Sequence, residues 1–247
     1  MASLRGDSSM VAWLSRVNGR HLASRRLSDC TNLAPAHAGS TSVYRWLRAH
    51  SAAAHHTHAL SLPQLHARGL RCFVMALRDP AARLRTVFSF EKERKHEKDE
   101  PLYAALTPSP SAWLGALTNA SHPAHARAWR IVSRSAAASP HWSRSGMYVV
   151  GGHVGLVPQV AALRGVQLLA VPEQVELHLL CTHRLAEDWR ALLERMGIRG
   201  SNATSALRRY NPSKYSFNLS WDEQQYVRTR LFPQDYALVL AICGAET

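Results

Sequence analysis

Residues 70–86 read LRCFVMALRDPAARLRT, and the reading of this stretch decides the fold. Leu70 to Leu77, apolar except for Arg71, is a run of strand length, the pattern of a strand covered on both faces inside a parallel sheet. The run ends on Arg78-Asp79-Pro80. Proline suits the first position of a helix, where its missing N–H has no partner to lose. Leu84, Val87 and Phe88 then form an apolar stripe at helical spacing, so the expected order is strand, short turn, helix.

The same alternation extends in both directions. Upstream, Leu33-Ala-Pro-Ala-His37-Ala38-Gly39-Ser40-Thr41-Ser42 is small and polar, and it runs into Val43, Trp46 and Leu47 at i, i+3, i+4 spacing. A Gly/Ser/Thr turn opening a helix offers unpaired backbone N–H groups at the positive end of the helix dipole, which is an anion site. Downstream, Val166 to Val171 and Val175 to Leu180 read as strands. The second feeds a helical face of Leu185, Trp189, Leu192, Leu193 and Met196, stopped by Gly197. Ser220-Trp-Asp-Glu223 is a capping box that opens a last helical region, and Tyr236 to Cys243 is a final apolar segment. Thr107 to Ser111 reads as a loop, and the charge run Glu91 to Glu100 as the solvated end of the helix begun at Pro80. Strands alternating with helices indicate an α/β layer with a mostly parallel sheet.

With 247 residues, 46% of them hydrophobic, the chain has material for a real core, which excludes a disordered tail or a disulfide-stapled miniprotein. No apolar stretch is long enough to cross a membrane; the longest candidate, Gly151 to Pro172, carries His153, Gln159, Arg164 and Gln167. Residues 1–30, rich in Arg and Ser, read as an N-terminal extension or targeting segment with a weak apolar patch at Met10 to Leu14. Residues 31–247 read as the domain proper. The formal charge of +13 favours polyanionic partners such as phosphate-bearing cofactors or sulfated glycans, although an Arg- and Ala-rich composition produces such an excess without selection for binding. Cys30, Cys72, Cys181 and Cys243 form no CxxC pair, which excludes a zinc ribbon, and Cys72 and Cys181 in apolar runs read as buried thiols. Asn119, Asn202 and Asn218 head glycosylation sequons, which favours a secretory location.

Two phosphate-type signals thus stand at the ends of two expected strands, Gly39 to Ser42 and Arg78-Asp79-Pro80-x-x-Arg83-x-x-Thr86. In an open α/β sheet both belong to the carboxyl edge, where ligands bind. Arg78 leaves the strand as a bidentate donor, while Arg83 and Thr86 lie three residues apart on one helix face.

This pairing resembles the two cofactor elements of carbohydrate sulfotransferases that use PAPS (3′-phosphoadenosine 5′-phosphosulfate), the Golgi group that includes heparan sulfate 2-O-sulfotransferase. Ala36-His37-Ala38-Gly39-Ser40-Thr41-Ser42 is similar to the 5′-phosphosulfate loop K-x-G-[GST]-T-S, with His37 where the family has Lys. Arg78 to Thr86 is similar to the 3′-phosphate element R-D-P-x-x-R-x-x-S. Leu179 to Trp189 resembles the family's V-T-E-x-L-E-D-F segment, and residues 199–225 resemble the loop that closes over the cofactor. The likeness runs from about residue 33 to the C-terminus and is weak over 95–145.

The resemblance implies a P-loop nucleotide-kinase-like fold, a parallel sheet flanked by helices, with no metal. It also implies sulfuryl transfer from PAPS to a carbohydrate hydroxyl in the Golgi lumen or secretory pathway. It places His37, Ala38, Gly39, Ser40, Thr41 and Ser42 on the phosphosulfate, and Arg78 and Thr86 on the 3′-phosphate. Asn211, Ser213 and Lys214 fall in the closing loop, and Arg83 and Arg184 are candidates for the glycan acceptor. For the base that deprotonates the acceptor, His55-His56-Thr57-His58 offers His58, with His56 beside it, matching an H-x-H of the related 2-O-sulfotransferases. An imidazole with a pKa of ~6.5 suits that step. The same histidines also read as a solvated loop or, with His66 but with no acidic or Cys ligand close by, as a metal site.

Two other readings stay open. His37 in place of Lys is compatible with a catalytically impaired relative that binds anionic glycans. A P-loop nucleotide kinase shares the sheet, but it should show GxxxxGK[ST], and Pro35 to Ser42 contains no Lys. No nucleic-acid platform of interleaved aromatic and basic residues is present in the sequence.

Overall fold

The structure, a computed structural model, describes residues 10, 12–14, 16–18, 27–35, 38, 40–50, 56–57, 60–93, 109–137, 141–143, 146–150, 152–164, 166, 174–198 and 215–244. It is an α/β arrangement that divides into two compact units. The first comprises Met1–Arg78, Gln159–Tyr210 and Ala237–Thr247; the second comprises Asp79–Pro158 and Asn211–Tyr236.

The strands among the described residues are β1 (Thr31–Leu33), β2 (His56–Thr57), β3 (Cys72–Leu77), β4 (His141–Ser143), β5 (Gly146–Tyr148) and β6 (Glu176–Cys181). The first unit holds a parallel sheet in the order β2-β1-β3-β6. The apolar run at Leu70 forms its central strand: all six residues of β3 are buried, as are all six of β6. Successive side chains alternate between two cores. Phe73, Met75 and Leu77 join Leu33, Leu177 and Leu179 in one core, which is covered by Trp13, Leu14, Leu62, Leu65 and Leu238. Cys72, Val74 and Leu180 join the other, covered by Val43 and Leu47 of the helix Ser40–His50 and by Trp189, Leu192 and Leu193 of the helix Leu185–Arg195. Trp46 and Trp189 meet edge to face there at 4.8 Å. Each large apolar side chain so buried contributes about 1.5–3 kcal/mol.

The N-terminal patch belongs to this unit. Met10, Trp13, Leu14 and Val17 recur at helical spacing, and all are buried in the first core. Residues set apart by composition as an extension therefore supply core side chains. Asn18 also forms a parallel bridge to Leu177 and accepts the Leu179 N–H through its side chain at 3.0 Å, which caps the β6 edge.

The cysteines differ from the expectation of buried thiols. Cys30 is disulfide-bonded to Cys72, and Cys181 to Cys243, leaving none free. The apolar context gave their burial correctly, but the pairing depends on β1 lying beside β3 and on a C-terminal helix meeting β6. Spacing along the chain does not carry that information.

The second unit packs the helices Pro80–Glu93, Pro110–Thr118 and His125–Ala137 around Phe88, Trp113, Leu117 and Ile131, with an antiparallel β4–β5 hairpin. Pro80 opens its helix as read from the sequence. Ser109-Pro110, read as loop, instead caps and starts the next helix: the Ser109 hydroxyl accepts the Ala112 N–H at 3.1 Å. At the capping box, Glu223 N–H donates to Ser220 Oγ at 3.2 Å and Ser220 N–H to Glu223 Oε2 at 2.7 Å. Gly155 lies so close to the Pro80 helix that an added Cβ would meet Val87 at 2.6 Å. Of the expected strand Val166 to Val171, only Val166 is described, in a helical turn.

Trp13→Ala should lower the free energy of unfolding by about 3–5 kcal/mol, the scale of a large-to-small change in a packed core. Trp221→Ala, at a position 71% exposed, should stay within about 0.5 kcal/mol of the parent. Urea denaturation midpoints check both, and equal midpoints for the two variants would show that the N-terminal segment is not part of the folded core.

Candidate functional site

Because the sheet of the first unit is parallel, its strands all deliver their carboxyl ends to one edge. Beyond β1 the chain passes Ala38, which is fully buried, and enters the helix Ser40–His50, where Ser42 is also buried. The N–H groups of that helix's first turn have no intrahelical acceptor and carry the positive end of its dipole. Beyond β3, Arg78 is held through its backbone by one side chain: its N–H donates to Gln159 Oε1 at 2.9 Å, and its carbonyl accepts from Gln159 Nε2 at 2.7 Å. Gln159 thus substitutes for a neighbouring strand at the point where β3 runs out.

Beyond β6 stands Thr182. Its hydroxyl donates to the Leu77 carbonyl at 2.6 Å and lies 3.4 Å from the Ala38 carbonyl. With one proton available, the shorter contact takes the hydrogen bond. This residue stands where Ala38, the exit of β3 and the exit of β6 come together. Asp188 braces the same corner, accepting the Cys181 N–H at 2.7 Å on one oxygen and pairing with Arg184 Nε at 3.0 Å on the other. Arg184 remains 42% exposed beside that edge. β2 adds a fourth strand end, since His56 is in register with Asn32 and Thr57 closes the strand.

Within the second unit, Asp79 caps the Pro80 helix, accepting the N–H groups of Ala81 and Ala82 at 2.9 and 3.0 Å. Its other oxygen receives Arg228 Nε at 2.7 Å. Thr86 is half-buried, and its hydroxyl donates back to the Ala82 carbonyl at 3.1 Å. One turn on, Ser89 Oγ lies 2.9 Å from the Arg85 carbonyl and 3.0 Å from that of Tyr215, and Lys92 Nζ sits 4.1 Å over the Tyr215 ring. The segment that follows Lys214 is therefore fastened to the helix that carries Thr86.

Arg83 has a different role from the acceptor contact expected of it. It is 1% exposed, donates to the Val157 carbonyl at 2.8 Å, pairs with Asp235 at 3.5 Å and stacks 5.2 Å over Phe232. Burial draws its pKa below the usual range, and Asp235 opposes that pull. Helical spacing correctly groups residues 83 and 86, but it does not say which side of the helix a core will cover.

His58, His37, Gly39, Asn211, Ser213 and Lys214 lie outside the described residues, as does the Asn202 sequon. For His56, Ser40 and Thr41 the backbone alone is described. His66, a candidate metal partner of the HHTH run, lies on the helix Leu62–Ala67; its pKa is lowered by burial first and by Arg71 second. Neither Gln159 nor Thr182 was among the site residues read from the sequence. Gln159 acts across 81 residues, and no local pattern marks such a tie. Thr182 was visible only as part of a motif.

Arg83→Met should destabilise the protein by about 3–5 kcal/mol, because it removes the guanidinium that faces the fully buried Asp235 carboxylate. Adding Asp235→Leu should recover most of the loss. A stability cycle by chemical denaturation checks this; full stability for the single variant would free Arg83 for a role at the surface.

Comparison with known proteins adds no relative to this geometry: no family model, no curated protein and no solved structure matches the chain.

Proposed function

We propose that this protein is a PAPS-dependent carbohydrate sulfotransferase with a P-loop nucleotide-kinase-like fold. The observation that supports the reading best is Thr182, which donates to the Leu77 carbonyl and lies 3.4 Å from the Ala38 carbonyl, with both segments at one sheet edge. In parallel α/β sheets that edge is where phosphate-bearing ligands bind. The donors there suit such a ligand, with the first-turn N–H groups of a helix, which have no intrahelical acceptor, and two arginines, Arg78 and Arg184, beside the same edge.

PAPS supplies a sulfuryl group whose bond to the departing phosphate oxygen is exchanged for one to the acceptor oxygen. The backbone N–H groups of residues 40–42 face the 5′-phosphosulfate and offset charge on the leaving phosphate. His37, when protonated, donates to the departing oxygen in the place of the family's lysine. The motif roles put Arg78 and Thr86 on the 3′-phosphate, with Asn211, Ser213 and Lys214 closing over the nucleotide. His58 takes the proton of the attacking hydroxyl, with His56 as its neighbour; it directly follows Thr57, the last residue of β2. Arg184 contacts an anionic glycan.

Location in a secretory lumen accords with the two disulfides, which persist in oxidising compartments. It accords also with Asn119 and Asn218, both exposed. One observation favours a second reading: a histidine at position 37 is shorter than lysine and charged only in part. A protein so limited would bind anionic glycans without transferring sulfate.

Transfer of labelled sulfate from PAPS to desulfated heparin or chondroitin separates the two readings. His58→Ala should abolish turnover while leaving affinity for the product nucleotide PAP within about twofold, a difference of ~0.4 kcal/mol. Arg78→Ala should weaken PAP binding by about 2 kcal/mol, the scale of a lost charge-assisted hydrogen bond. Calorimetric titration with PAP measures both, and unchanged PAP affinity in the Arg78 variant would sink the assignment.

A further inference from the structure

The proposed reaction leaves one group of buried polar side chains in the first unit without a use. Glu176 and His178 stand two apart on β6, so they share a face of the sheet, and both are fully buried. Their imidazole and carboxylate meet at 2.9 Å through His178 Nε2. The parallel register sets Cys72 beside Glu176 and Val74 beside His178. A carboxylate oxygen of Glu176, a ring nitrogen of His178 and Cys72 Sγ all lie within 4.8 Å of one another. Cys30 Sγ, bonded to Cys72, brings a fourth donor against the same cluster.

Packing does not account for this group. Around it on this face lie the apolar Val74 and Leu180 and, in register with Val74, the buried Asn32. Well-packed hydrophobic residues in place of a buried ion pair are often neutral or stabilising. A second observation points to a missing ligand: His178 Nδ1 is buried and has no hydrogen-bond partner among the described residues. Imidazole, carboxylate and two sulfurs together form a donor set suited to a tetrahedral zinc ion.

We propose that Cys30, Cys72, Glu176 and His178 form a zinc site whenever the Cys30–Cys72 bond is open, so that disulfide and metal are alternative occupants of one place. A dithiol reductant supplies two electrons and two protons, the S–S bond breaks, and the reductant leaves as its own disulfide. Zinc binding then displaces both thiol protons to solvent, and neutral His178 and ionised Glu176 complete the shell. Ligand atoms around tetrahedral zinc sit about 3.3–3.8 Å apart, given bonds of about 2.0–2.3 Å. To reach that spacing the two sulfurs part once their bond opens, the His178–Glu176 contact at 2.9 Å lengthens, and the widest separations close by about 1 Å, all within the reach of side-chain rotation. Where thiols are oxidised the disulfide form persists, and where they stay reduced the metal form replaces it.

The test uses the full chain, reduced with a dithiol and then freed of reductant. Zinc alone, followed by native mass spectrometry, should add one ion per reduced chain and none to the oxidised chain. Cobalt(II) in its place should give thiolate charge-transfer absorption. Zinc should shield Cys30 and Cys72 from alkylation in peptide mapping, with no zinc-dependent shielding of Cys181 and Cys243. His178→Gln and Glu176→Gln should each weaken zinc affinity at least tenfold, with circular dichroism of the oxidised variants confirming that they fold. The proposal is overturned if the reduced chain takes up no zinc, if both cysteine pairs are shielded alike, or if neither variant changes the affinity. Should a variant not fold, cobalt absorption and alkylation of the parent protein decide alone.

Discussion

The first unit depends on β3 being covered on both faces. Its six residues are all buried, with Phe73, Met75 and Leu77 in one core and Cys72 and Val74 in the other. A strand in that position cannot be an edge, so β1 and β6 must pair on either side of it, and helices must cover both faces. The rest of that unit follows: the N-terminal segment with Trp13 serves one face, and the helices carrying Trp46 and Trp189 serve the other.

Such a strand also sets where chemistry can occur. Parallel strands bring their exits to one edge, and the polar groups exposed there need partners of their own. Gln159 satisfies the backbone of Arg78, and Thr182 satisfies the last carbonyl of β3. Both are uncharged polar side chains that bond backbone groups where the strands stop. Backbone groups left over where the strands stop are thereby hydrogen-bonded within the same unit. The same logic separates the two arginines of the RDPxxR pattern. Arg78 leaves the sheet at an edge, whereas Arg83 is drawn into a core where Asp235 and the Val157 carbonyl absorb its charge.

Much of this was legible in the sequence. The run at Leu70, the proline start at residue 80, the capping box at Ser220 and the helical face from Leu185 each came from a local pattern, and each is present. The site was legible only as two motifs and a histidine pair. Their roles rest on resemblance, and several of the residues lie outside the described part of the chain. Other features went unread because they depend on partners distant in the chain. These include the two disulfides, the core role of Trp13, the burial of Arg83 and the ties made by Gln159 and Thr182.

The sequence by itself determined the kinds of elements and their order, because periodicity and capping act over a few residues and record which face of a segment avoids water. Only the tertiary structure decided which cysteines join and which arginine is buried. It alone set Cys72 beside the Glu176–His178 pair of β6. These outcomes turn on strand order and register, and a parallel crossover brings together residues that no local spacing relates.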